Sequence, residues 1–119
     1  MASVAVIGAS NERNKYGNRA VRAYLRQGWT VYPVNPNEQQ VEGLAAFARI
    51  TDIPGPVDRA TMYVPADIGR TLLAGIKQKQ VRELFVNPGA ESDELLAEAA
   101  RLGLEPIQAC SIIDIGERP

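Results

Sequence analysis

Short apolar, β-branched runs alternate with amphipathic stretches along the whole chain, and this alternation constrains the fold more than any other feature. The first unit sets the pattern. Val4-Ala5-Val6-Ile7 stops at Gly8, a polar loop runs from Ala9 to Tyr16, and a helical stretch follows Gly17. An apolar run bounded by glycine marks a strand buried on both faces. In Asn18–Gln27, Ala20, Val21, Tyr24 and Leu25 recur at helical spacing, with Arg19, Arg22 and Arg26 on a solvated face. Gly28 supplies the left-handed residue that closes a helix.

The remaining units follow suit. Trp29–Val34 predicts a second strand that ends at the turn Asn35-Pro36-Asn37. Gln39–Ile53 fits either a short strand or a single helical turn, and the run Asp52 to Pro56 breaks the chain. Asp58–Val64 predicts a third strand, stopped by Pro65. Ala66–Gln80 predicts a helix with Ile68, Leu72, Leu73 and Ile76 on an inward stripe. Val81–Val86 predicts a fourth strand, closed by Asn87-Pro88-Gly89. Ser92 caps a helix reaching Leu102, Gly103 ends it, and Leu104–Ile107 predicts a fifth strand. Strands separated by helices pair in parallel through right-handed crossovers. The expected fold is therefore one α/β domain over residues 1–119. It is a Rossmann-like, doubly wound parallel sheet of five strands, order 3-2-1-4-5, in three αβα layers. Ligands of such sheets lie beyond the carboxyl ends of the strands, where the strand order reverses.

Composition narrows the chemistry. With 119 residues there is material for one core and none for a separate substrate domain. The 13 Lys+Arg nearly balance the 14 Asp+Glu, so no general basic surface favours nucleic acid. The chain has no histidine, which removes the commonest general base and metal ligand. Its single cysteine, Cys110, makes neither an internal disulfide nor a thiolate metal site. No catalytic residue and no metal ligand is assigned. No apolar run approaches the ~18 residues of a membrane span, and no signal-type segment opens the chain. A cytoplasmic protein without a membrane partner is expected.

The first strand-to-helix turn holds the clearest site. A strand that turns sharply into a helix leaves backbone N–H groups unpaired, and with the helix dipole these make an anion site. Gly8 gives the tight turn, and Gly17 lets the helix start close to the sheet. Ser10, Asn11 and Asn14 offer hydrogen bonds, and Arg13, Lys15 and Arg19 offer charge. The loop departs from G-x-G-x-x-G, and an ordinary loop with solvated charges is the alternative reading. The tip of the second strand, Asn35-Pro36-Asn37, lacks the carboxylate that reads the ribose of NAD; Glu38 comes after the proline turn. Apolar and aromatic groups at Tyr63-Val64-Pro65 can bracket a purine, or form a core strand with a proline stop. Asn87-Pro88-Gly89-Ala90 closes the row, so the tips present small or turn-forming residues along one edge, suited to a long ligand.

In these motifs the chain resembles the small stand-alone CoA-binding domain proteins, whose fold is shared with the N-terminal domain of the succinyl-CoA synthetase α subunit. The resemblance covers essentially the whole length. It rests on Val6-Ile7-Gly8-Ala9-Ser10 with Tyr16-Gly17, on Val31-Tyr32-Pro33-Val34-Asn35-Pro36, on Asp52-Ile53-Pro54 with Val57-Asp58, and on Tyr63-Val64-Pro65-Ala66. It implies that coenzyme A or an acyl-CoA is the ligand. Gly8, Ala9, Ser10, Lys15, Tyr16 and Gly17 are then the phosphate-holding residues, with Arg13 adding charge. Asn35 and Pro36 lie by the ribose and adenine, and Tyr63, Val64 and Pro65 on the adenine side. Asn87, Pro88, Gly89 and Ala90 lie along the pantetheine path. Many stand-alone members are more apolar at that fourth tip, and the phosphorylated histidine of the synthetase is missing, so ligase activity is not carried over. Cys110 has two readings, a thiol able to form a mixed disulfide with CoA and a small buried hydrophobe; no base flanks it.

Three functions compete at this stage. The first is a CoA-type binding module without catalysis. The second is an oxidoreductase or redox-sensing domain using NAD(P). The third is a regulatory or structural subunit with a vestigial nucleotide site, held by a protein partner the sequence does not name.

Overall fold

The computed structural model describes residues 2–119. β1 (Ser3–Ile7) is buried along its whole length because it lies inside the sheet, between β2 (Thr30–Val34) and β5 (Arg59–Met62). β5 pairs with β6 (Glu83–Val86), and β6 with β7 (Ile107–Gln108), every pairing parallel. The register sets Ile7 opposite both Val34 and Met62, so the strands end level at the carboxyl edge.

Alternation along β1 divides the core. Ala5 and Ile7 face α2 (Ala66–Lys79) and α3 (Asp93–Arg101), with Leu73, Ile76 and Leu95 wholly buried between them. Val4 and Val6 face α1 (Tyr16–Arg26) and α4 (Ser111–Asp114), over Val21, Tyr24 and Ile112. Helices on both faces give the three αβα layers.

The doubly wound order is met when Phe47 fills the outermost position. Phe47 makes a one-residue parallel bridge to Val34 on the free side of β2. The segment 58–64, which the order 3-2-1-4-5 counts as the third strand, pairs with β1 instead. Over the full strands alone the chain order therefore runs 2-1-3-4-5. The reason lies in residues 39–53, where both the short strand and the helical turn that the sequence allows are present, but no full strand joins the main sheet. They fold as an antiparallel hairpin, β3 (Gln40–Val41) and β4 (Leu44–Ala45), and then the Phe47 bridge and a 3-10 turn over Ile50–Asp52.

Several boundaries move: β5 ends at Met62 rather than Val64, and β6 starts at Glu83 rather than Val81. α1 starts two residues early, at Tyr16. The fifth strand lies at 107–108, because the Leu104 N–H returns to the Ala99 carbonyl and closes α3 before any strand can start. The tail past Cys110 forms α4, which the sequence reading leaves without structure. Cys110 itself is half-buried and packs beside the α1–α4 core, in keeping with a small hydrophobe.

The amino end of the sheet carries the one strongly buried cation among the described residues. The side chain of Arg59 is 8% exposed. Nη2 lies 2.9 Å from Glu83 Oε1, and Nη1 lies 2.9 Å from Asp114 Oδ2. Nη1 also donates to the Tyr24 hydroxyl at 3.2 Å. The guanidinium stands 4.4 Å from the Phe85 ring and 4.9 Å from Trp29. Burial opposes the charge, but the hydrogen bonds to Tyr24, Glu83 and Asp114 hold the arginine pKa above its ordinary value.

Candidate functional site

The β1–α1 loop is pinched at both ends. Gly8 has φ +91°, and a Cβ there would sit 2.8 Å from the Tyr63 carbonyl oxygen. A Cβ at Gly17 would sit 2.2 Å from the Gly8 carbonyl oxygen. Both glycines are needed for close approach: Gly8 to the neighbouring strand tip, and the start of α1 to the loop.

Between them the loop turns its carbonyls outward onto side chains. Asn35 Nδ2 donates to Ala9 O at 2.8 Å, Asn18 Nδ2 to Ser10 O at 2.8 Å, and Arg22 Nη2 to Arg13 O at 2.7 Å. The amides behave differently. Gly8 N–H is paired to Val34 O, Glu12 N–H to Ser10 Oγ and Lys15 N–H to Glu12 O. The N–H groups of Ala9, Ser10, Asn11, Arg13, Asn14, Tyr16 and Gly17 have no acceptor among the described residues. Lys15 is the N-cap of α1, no side chain caps it, and the first turn carries no acidic residue. Free donors, spent acceptors and a helix start together favour a negatively charged ligand.

Two hollows flank this loop on the carboxyl edge. One, about 550 Å³, is lined by Lys15, Tyr16, Tyr63, Pro65 and the 87–90 turn. The other, about 570 Å³, lies between Asn35-Pro36, the 3-10 turn and α2, with Val34, Ile50, Ile68 and Leu72 making an apolar wall. Both are lined by Gly8 and Val64, so they adjoin along a cleft edge over the crossover between β1 and β5. A larger hollow of about 630 Å³ lies at the opposite end of the sheet, by Lys77, Arg82 and Ile107. It lies away from the β1–α1 loop and that loop's unpaired amides, so volume alone does not mark the site.

The expected site residues fall as follows. Gly8, Asn35, Pro36 and Val64 line the apolar hollow. Gly8, Lys15, Tyr16, Gly17, Tyr63, Val64, Pro65, Asn87, Pro88, Gly89 and Ala90 line the other. Tyr63 and Pro65 thus sit on the loop side of the cleft rather than in the apolar hollow. Ala9 is buried behind the loop, Ser10 turns its hydroxyl to Glu12, and Arg13 lines neither hollow, its Nε standing 3.7 Å from Glu42. Lys15 Nζ is 3.1 Å from Glu12.

Several side chains are already committed. Asn87 is buried, donates to Thr61 Oγ1 at 2.7 Å and to Met62 O at 2.9 Å, and accepts from Ser111 N–H at 2.9 Å. It offers the cleft only its backbone. The Tyr63 hydroxyl meets Ser111 Oγ at 3.2 Å. Burial pushes its pKa up to about 12, so the phenol stays protonated and is no base near neutral pH.

Sequence reasoning missed the far wall of the apolar hollow. Ile68 and Leu72 read as core, yet Ile68 is 48% exposed and both line the hollow. Arg49, the cation on the rim, fell in the stretch 39–53 that periodicity left open. An apolar residue one turn before the buried Leu73-Ile76 stripe was the available signal.

The class this architecture defines is a Rossmann-like, doubly wound α/β domain with its cleft at the topological crossover. The comparisons with known proteins are more specific. A CoA binding domain family model matches residues 2–115, and the chain belongs to that family. An ADP-forming acetate–CoA ligase II of Archaeoglobus fulgidus is 39% identical over 107 residues, covering 87% of this chain and 16% of the ligase. The α subunit of an ADP-forming acetate–CoA ligase II of Pyrococcus furiosus is 37% identical over 84 residues, covering 70% of this chain and 18% of the subunit. The chain thus spans under a fifth of these relatives. Among solved structures, a conserved hypothetical protein of Pyrococcus furiosus superposes with a TM-score of 0.87 at 30% identity, over 96% of this chain and 99% of that one. The acetyl-coenzyme A synthetase 1 of Ca. Korarchaeum cryptofilum, in complex with phosphate and ADP, superposes with a TM-score of 0.78 at 28% identity, over 91% of this chain and 25% of that one. No helix among the described residues is long and apolar enough to cross a membrane.

Proposed function

We propose that residues 1–119 act as one domain that binds coenzyme A or an acyl-CoA in the carboxyl-edge cleft, without chemistry of its own. The observation that supports this is the β1–α1 loop beside the cleft, where the Ala9, Ser10 and Arg13 carbonyls are spent on side chains while most of the amides have no acceptor. The pyrophosphate sits on those amides and on the start of α1, with Lys15 nearby. The adenine enters the apolar hollow against Val34, Val64 and Ile68, with Asn35 and Pro36 beside the ribose and Arg49 on the rim. The pantetheine arm runs past Tyr63 and Pro65 along the backbone of the 87–90 turn. Charge-assisted bonds from amides to phosphate supply orientation, and the apolar wall supplies desolvation. The CoA chemistry printed for the ligase relatives and the family match support the choice of ligand. The lack of histidine, the commonest general base, supports the reading of binding without turnover. A cytoplasmic setting, where CoA is available, fits this role.

An NAD reader remains missing from the structure as from the sequence: Glu38, the carboxylate past β2, accepts from Asn11 Nδ2. Isothermal titration against CoA, NAD, NADP and ATP tests the proposal. Saturable CoA binding that exceeds the other three is expected; NAD binding with no response to CoA would overturn it. A protein partner is a second element of the proposal, because the Pyrococcus furiosus relative is itself a subunit. Co-purification of the tagged chain with a larger acyl-CoA-using protein would establish it.

A further inference from the structure

The β3–β4 hairpin has a feature that its own fold does not require. Glu42 occupies the turn with φ +50°, followed by Gly43 at +77°. Such a turn favours Asn or Gly at both places, and a glutamate there is strained. Strain of this kind persists where something else requires the side chain. The Glu42 carboxylate accepts from Asn18 Nδ2 at 3.0 Å and stands 3.7 Å from Arg13 Nε. Asn18 is wholly buried, and its other Nδ2 hydrogen holds the Ser10 carbonyl. Its Oδ1 accepts from Arg22 Nε at 2.8 Å, and Arg22 in turn holds the Arg13 carbonyl. A second tie runs the other way, from Asn11 Nδ2 to Gln40 O at 2.8 Å and to Glu38. Val41, wholly buried, anchors the hairpin into the α1 side of the core.

From this geometry we infer that the hairpin is a clasp that presets the anion loop, with Glu42 and Asn18 as positioning residues. Glu42 fixes the rotamer of Asn18, Asn18 turns the Ser10 carbonyl away from the cleft, and the adjoining amides then point inward before any ligand arrives. Preorganisation of this kind raises affinity by removing the ordering cost from the binding step. The inference rests on the proposed anion site, and it makes a prediction of unusual sign. Glu42 is a negative charge near a site for phosphates, so simple Coulomb reasoning expects its removal to tighten binding. A clasp expects the reverse.

The test compares Glu42→Gly and Glu42→Gln with the parent protein. Glu42→Gly suits the backbone of the turn and removes the tie; Glu42→Gln keeps an acceptor for Asn18. Glu42→Gly should weaken CoA binding about tenfold while the thermal midpoint moves by no more than about 3 °C. Glu42→Gln should restore most of the affinity. Adenosine, which has no phosphate, should bind all three proteins alike. Unchanged or tighter CoA binding in Glu42→Gly, an equal loss in both variants, or a parallel loss for adenosine would overturn the clasp. Amide hydrogen exchange separates this from failure of the CoA reading itself. If the parent does not bind CoA, the site assignment fails, but Ser10 and Asn11 should still exchange about tenfold faster in ligand-free Glu42→Gly, with β1 and β5 unchanged. Unchanged exchange in the loop would sink the clasp on its own.

Discussion

At the amino end of the sheet, Arg59 is sealed between two aromatic rings, and every charge it meets is answered by another. At the carboxyl end, the β1–α1 loop leaves most of its amide donors without an acceptor, beside a cleft. Both ends are built from polar groups on one rigid sheet. The difference lies in which partners the chain supplies. Where opposite charges and rings converge, the result ties α1, α4, β5 and β6 together. Where carbonyls are consumed and most amides are not, the surface keeps an excess of donors, which is the basis of the proposed anion site. Polarity at a strand end therefore does not by itself mark a binding site; unbalanced polarity does.

The sharpest way to break this contrast is at the pinch between the loop and α1. Gly17→Ala drives a Cβ into the Gly8 carbonyl, a backbone atom that cannot swing aside. A loss of at least about 3 kcal/mol in denaturant unfolding is expected, together with loss of CoA binding. Next comes the opposite end. Arg59→Met removes the pairing with Glu83 and Asp114 and both ring contacts. The two carboxylates are half-exposed and recover solvent, so the cost should be about 2 kcal/mol rather than the full value for a stranded buried charge. Its CoA affinity should equal that of the parent in titration; a tenfold change would mean the two ends are not independent.

Smaller effects sharpen the same comparison. Lys15→Ala should weaken CoA binding about threefold at low salt and less at high salt, because this exposed lysine also serves Glu12. Arg13→Ala should do less, since Arg13 lines neither hollow. The smallest effect is in acid. Ser3 N–H donates to Asp58 Oδ2 at 2.9 Å, and this backbone bond leads the causes that hold the Asp58 pKa below the ordinary carboxylate value. A depressed folded-state pKa gives stability that is present above the unfolded value and lost as pH falls through the folded one. Asp58→Asn should therefore flatten the decline in thermal midpoint below about pH 4 and leave CoA binding at pH 7 unchanged.

The strands and helices were legible because they repeat a strong local rule. The apolar runs at β1 and β6, the alternation at β5 and the helical stripes in α1 to α3 meet it without help from distant residues. The stretch 39–53 was not legible, because its hairpin is two residues a side and its place beside β2 is set by one bridge at Phe47. That stretch also supplies Arg49 and Ile50, which is why the apolar hollow was half seen. Glycines and turn signals located the loop and the strand tips. They did not distinguish an asparagine that faces a ligand from one that props the backbone. Asn35 and Asn87 read alike in sequence; each spends its side-chain amide on a carbonyl while lining a hollow of the cleft.

Gly8 and Val64 belong to the walls of both hollows. Anything that occupies both must pass these two residues and turn from one hollow into the other. A stiff, straight molecule of equal length would fill one side and hang free on the other, so flexibility in the guest becomes a criterion for admission.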